Sequence, residues 1–108
     1  MAKTEIVEVS EAQINLWKEE HGNIFEVEAP VDDKGHTVKG YFRKPDLATL
    51  GAASKYAESD PVKSGMILLQ NCFLGGDNAF RNNDEVKFSA IIAINGIFKI
   101  REAKVKNL

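Results

Sequence analysis

Asn71-Cys72-Phe73-Leu74-Gly75-Gly76-Asp77 (NCFLGGD, residues 71–77) sets the only cysteine of the chain beside a pair of glycines. Its reading decides where the central helix ends and whether the thiol belongs to chemistry or to packing. Upstream, Ser59-Asp60-Pro61 is a helix start: the Asp60 carboxylate can accept from free backbone N–H groups, and Pro61 sits where its missing N–H costs nothing. Val62, Met66, Leu69 and Phe73 follow at steps of four, three and four, which predicts a buried stripe. Cys72 lies three residues after Leu69, next to that stripe, and Gly75-Gly76 reads as the cap that stops the helix. A helix C-terminus disfavours a thiolate, so the stretch reads as a buried thiol before a glycine stop.

Working backwards, Asp46 caps a helix expected from Leu47 to about Ala57, rich in small residues that permit close packing. Before it, Phe25, Val27 and Ala29 alternate with Ile24, Glu26 and Glu28. Val38, Gly40 and Phe42 alternate with Thr37, Lys39, Tyr41 and Arg43, and Asp32-Asp33-Lys34-Gly35 forms the loop of an antiparallel hairpin. The register that sets Phe25 opposite Phe42 also sets Glu28 opposite Lys39 on the outer face. Ser10 and Gln13 form a capping-box pattern for a first helix over Glu11–His21, stopped by Gly22, with Ile14, Trp17 and His21 on one face.

Downstream, Asn82-Asn83-Asp84-Glu85 predicts the start of a last helix bearing Val86, Phe88, Ile91, Ile92 and Ile94, with a break near Gly96. Residues 97–106 read as further helix, with a strand as the alternative. The fold class is therefore α+β: an N-terminal helix, an antiparallel β-hairpin, then three or so packed helices. Residues 10–108 form one domain, and residues 1–9 are a loose N-terminal segment unless Ile6 to Val9 pair as a strand in an assembly.

Fourteen Lys and Arg against sixteen Asp and Glu give a net charge of -2, without the positive balance that binding to nucleic-acid phosphates normally needs. One cysteine allows no internal disulfide, and neither a CxxC pattern nor a Cys/His cluster suggests zinc, which fits a reducing cytoplasm. The N-terminal stretch carries acids where an export signal needs apolar residues, and no window is apolar over a membrane-spanning length. No membrane or nucleic-acid partner is expected.

No catalytic, cofactor or metal residues are expected either. A Cys72 nucleophile would need His21 or His36 brought to it by tertiary folding. Asp77, Asn78, Asn82, Asn83, Asp84 and Glu85 could ligate calcium but depart from the EF-hand order, and Asp32-Asp33 are turn residues before they are metal ligands. Lys99, Arg101, Lys104 and Lys106 suit a helix C-terminus or an acidic partner. The candidate protein-interaction residues are Trp17, Tyr41, Leu74 and Phe80. Leu74 and Phe80 flank the Gly-Gly turn, where they form a contact patch or close the core beneath it. Tyr41, on the outer hairpin face, awaits a cover that a second subunit can supply.

Trp17-Lys18, His21-Gly22, Phe25-Glu26-Val27, Tyr41-Phe42-Arg43-Lys44-Pro45, Ala52-Ala53-Ser54, Asp60-Pro61, Leu68 through Asp77 and Asp84-Glu85 form an ordered set of motifs. Over about residues 13 to 104 this set resembles small proteins of phage tail gene clusters and prophages of Bacteroides-type bacteria, described as tail assembly chaperones. The resemblance implies a non-enzymatic role in the host cytoplasm. The protein would bind the long tape-measure protein, keep it soluble and help tail-tube subunits assemble around it; a module of this kind is expected to self-associate as a homo-oligomer. Asn78-Ala79-Phe80-Arg81 departs from the family, where more acidic residues are expected. The alternative reading is a structural or regulatory adaptor for another protein client.

Overall fold

The computed structural model describes residues 9–97 and 103–108. The chain runs α1 (Glu11–His21), β1 (Ile24–Pro30), β2 (Thr37–Arg43), α2 (Leu47–Ser54), α3 (Pro61–Cys72), β3 (Phe73–Gly76), α4 (Ala79–Asn82) and α5 (Asp84–Ile97). The architecture is α+β: an antiparallel sheet in the order β1-β2-β3 with helices on both sides. The core lies between the sheet and the helical layer, and it joins Val27, Ala29, Val38 and Phe42 to Leu68, Leu69, Cys72, Phe80, Val86, Ala90, Ile91 and Ile94. No helix among the described residues is long and apolar enough to cross a membrane.

The caps and the hairpin follow the sequence closely. Ser10 Oγ accepts from Gln13 N at 3.2 Å, and Gly22 ends α1 with φ +79. Asp46 Oδ1 accepts from Thr49 N at 2.8 Å, and Asp60 Oδ1 from Lys63 N at 3.1 Å. Phe25 pairs with Phe42 and Glu28 with Lys39, as the alternation predicts. The ammonium of Lys39 nevertheless turns to the diagonal neighbour Glu26, 3.9 Å away, while Glu28 accepts from the Thr37 hydroxyl at 2.8 Å. In the loop, Asp32 Oδ1 accepts from Lys34 N at 2.8 Å and His36 N at 3.2 Å, and Gly35 supplies φ +88.

The largest departure is at residues 73–76. Gly75-Gly76 do not cap α3. Phe73 turns to extended backbone (φ -67, ψ 122), and Phe73–Gly76 pairs with β2 as a third strand, through Phe42↔Phe73, Tyr41↔Gly75 and Gly40↔Gly76. A register shift falls between Tyr41 and Phe42, so Leu74 is the extra residue of a bulge. The glycines are required by packing. A Cβ on Gly76 would lie 2.5 Å from Lys39 O, one on Gly75 would lie 2.9 Å from Trp17, and one on Gly40 would lie 2.9 Å from the Phe80 ring. Bare backbone on β2 and β3 thus lets an aromatic ring press on each face of the sheet.

The stripe on α3 is also rotated from its expected position. Gly65, Leu68, Leu69 and Cys72 are the buried residues, whereas Val62 is 51% exposed and Met66 and Phe73 are half-buried. Gly65 is the cause, because a Cβ there would overlap Ile91 Cγ2 of α5. Its absence lets the two helices close and turns the face centred on Gly65 inward.

Helix α2 ends at Ser54, three residues before the expected Ala57, and passes into tighter turns with Tyr56 N donating to Ala53 O. Asn83, not Asn82, caps α5: its Oδ1 accepts from Glu85 N at 3.0 Å and Val86 N at 3.2 Å. Helix α5 passes through Asn95 and Gly96 to Ile97, so no break precedes that residue. Of the helix expected over 97–106, residues 98–102 lie outside the described residues, as does the strand considered for residues 6–8. Residues 103–108 are irregular and exposed. Val105 is 98% exposed, so this end has no layer on which a helix could bury an apolar face.

Candidate functional site

Tertiary folding separates the four candidate interaction residues into two groups. Trp17 projects from α1 onto the outer sheet face, with its ring 5.9 Å from that of Tyr41 and its edge against Gly75. Tyr41 is thereby 9% exposed, and its hydroxyl donates to Glu26 Oε1 at 2.9 Å. Burial, helped by this bond to a carboxylate, pushes its phenol above the usual range. The cover expected from a second subunit is therefore provided by the chain's own Trp17. Phe80 is 2% exposed and packs with Phe42 and Phe73 at centroid distances of 5.8 and 5.9 Å. It closes the core, and its reading as a surface contact is corrected. Leu74, on the β3 bulge, is half-buried and lines an open groove with Trp17, Ser10 and Gln13. Only Trp17 and Leu74 of the four meet at a surface.

Cys72 is fully buried at the end of α3 and belongs to the core. Burial pushes its thiol up, against a smaller opposing influence from Arg43. Both imidazoles lie elsewhere: His36 Nδ1 meets Asp32 Oδ2 at 2.6 Å in the hairpin loop, and His21 Nε2 is 3.5 Å from Glu20. The His36 contact holds the Asp32 carboxyl below its ordinary value. Two of the oxygen donors considered for calcium serve backbone amides. Asp77 Oδ1 accepts from Ala79 N at 2.9 Å and opens α4, and Asn83 opens α5.

A second hollow was not legible in the sequence. Met66 and Leu69 of α3, Phe73 of β3 and Phe80 of α4 line a cavity of about 270 Å³ whose rim carries Arg81 and Lys87. The Arg81 guanidinium lies 5.0 Å above the Phe73 ring, a cation-π contact that holds the charge at the apolar mouth. Lys87 Nζ is 3.7 Å from Asp84 Oδ1, whose side chain is fully exposed. The rotation of α3 creates this site by leaving Met66 and Phe73 half outside the core. The sequence signal for it is the same Val62, Met66, Leu69, Phe73 periodicity, which marks the helix face that borders the hollow. No protein-family model, curated protein or solved structure matches the chain.

Proposed function

We propose that the chain is a non-enzymatic, protein-binding assembly factor of the tail-assembly-chaperone type. It acts in the host cytoplasm, holding an elongated helical tape-measure protein in solution while tail-tube subunits gather around it, and it self-associates as it does so. One observation supports a binding role above others. Large apolar side chains stay exposed on the outer surfaces of four helices: Leu16 (50%), Leu47 (85%), Val62 (51%), Phe88 (53%) and Ile92 (61%). Scattered exposed leucines are ordinary, but Phe88 and Ile92 share one face of α5, and Val62 prolongs the half-buried stripe of α3. An amphipathic client buries its apolar face against such surfaces, the helix-in-groove mode of recognition. The buried Cys72 and the capping Asp77 and Asn83 agree with this reading, because their polar groups serve the fold.

Co-expression with the tape-measure protein of the same gene cluster tests the proposal. The expected result is co-purification together with a higher soluble yield of the tape-measure protein. An equally soluble tape-measure protein that never co-purifies overturns it.

A further inference from the structure

We propose that the seam between α3 and α5 is a docking site for an acidic amphipathic helix, whose apolar stripe seats on Val62, Met66 and Phe73 while its flanking carboxylates meet Arg81 and Lys87. The inference rests on the protein-binding reading and names the surface and the chemistry of the client. Charge complementarity commits the site to this occupant. In a chain of net charge -2, the rim of this apolar hollow carries two cations. Among the described residues, Arg81 makes no ion pair and is held over Phe73. Among the described residues, Lys87 pairs only with the fully exposed Asp84, a contact of 3.7 Å that an incoming carboxylate can replace at little cost.

Length distinguishes a helix from a small molecule. The hollow of about 270 Å³ holds one large side chain. From Val62, α3 continues past the half-buried Met66 for ten residue steps to Cys72, about 15 Å or just under three helical turns, with Phe73 at its end. Gly65 brings α5 against α3, so the seam has α5 residues such as Lys87 along its other side. An anchor residue in the hollow, with further apolar groups at helical spacing along the stripe, would use the whole feature.

The test uses the full chain and two fluorescein-labelled amphipathic peptides with the same leucine stripe, one flanked by glutamates and the other by lysines. Fluorescence anisotropy is expected to show binding of the glutamate peptide, weakening as salt is raised, and at least tenfold weaker binding of the lysine peptide. Arg81→Glu/Lys87→Glu, and separately Val62→Glu, are each expected to lower affinity for the glutamate peptide at least tenfold. Val62 and Arg81 are exposed and Lys87 is partly exposed, and an unchanged urea midpoint confirms the fold. Equal binding of the two peptides, or no effect of the double charge reversal, overturns the proposal. So does a homodimer in light scattering that the charge reversal dissociates, since the seam would then seat a second copy. Tape-measure capture that survives the charge reversal overturns the seam as the client's seat and leaves the assembly role standing. Charge-selective peptide binding without tape-measure capture supports the seam and removes the tape-measure assignment.

Discussion

Replacing Gly76 with alanine tests the contact on which the three-stranded sheet depends. Gly76 has φ +131, a conformation that an L side chain adopts only under strain of about 1–3 kcal/mol. The added Cβ would also stand 2.5 Å from Lys39 O and 2.8 Å from Gly40 Cα. Both atoms are backbone, so no rotamer change relieves the overlap. Moving β3 away from β2 lengthens the bond from Asp77 N to Lys39 O, now 3.0 Å, which contributes about 0.5–1.5 kcal/mol. Together these effects predict a loss of about 2–4 kcal/mol, a large share of the 5–15 kcal/mol typical of a domain. Urea unfolding should show the loss as a lower midpoint with an unchanged slope, and hydrogen exchange should show faster exchange at the Asp77 amide. Gly51→Ala is the matched control, because nothing lies within 4 Å of a Cβ there and the residue sits inside α2. It should stabilise by about 0.5–1 kcal/mol. If Gly76→Ala and wild type share a midpoint, β3 is not held against β2 as described and the argument fails.

Phe80→Ala should cost about 3–5 kcal/mol, because it empties a 2%-exposed site between Phe42 and Phe73, whereas a surface-contact role predicts an unchanged melting temperature. Cys72 should resist iodoacetamide in the native protein and react on denaturation; rapid native alkylation would restore the case for a reactive thiol. Hydrogen bonding from Thr49, through its side chain first and its backbone amide second, holds the Asp46 carboxyl below its ordinary value of 3.8. The unfolded chain therefore takes up this proton first, and the stability contributed by the ionised cap, intact above that value, declines as pH falls below it. Asp46→Asn should flatten that part of the pH–stability curve, and an identical acid limb would refute the assignment.

Local chemistry was legible because it acts over three or four residues. Ser10, Asp46 and Asp60 each accept from the amide three positions on, and Gly22 and Gly35 take positive φ where the chain must stop or turn. The hairpin register was legible for a similar reason: alternation with period two fixes which side chains face inward, and one slip would expose them all. Residues 73–76 were not, since a four-residue strand with two glycines has almost no intrinsic β preference and exists through its partner, β2. The same limit hid the site. Tyr41 loses its exposure to Trp17 from another element, and Phe80 goes inward because Gly40 lacks a side chain.

The sequence by itself determined the α+β class, the starts of three helices and the pairing of β1 with β2, because these follow from backbone preferences and short-range periodicity. Tertiary structure alone decided that the Gly-Gly pair is a strand, that Gly65 sets the face α3 turns inward, and that Arg81 and Lys87 share one apolar mouth. Those outcomes depend on which surfaces can approach without overlap, a property of pairs of elements distant along the chain.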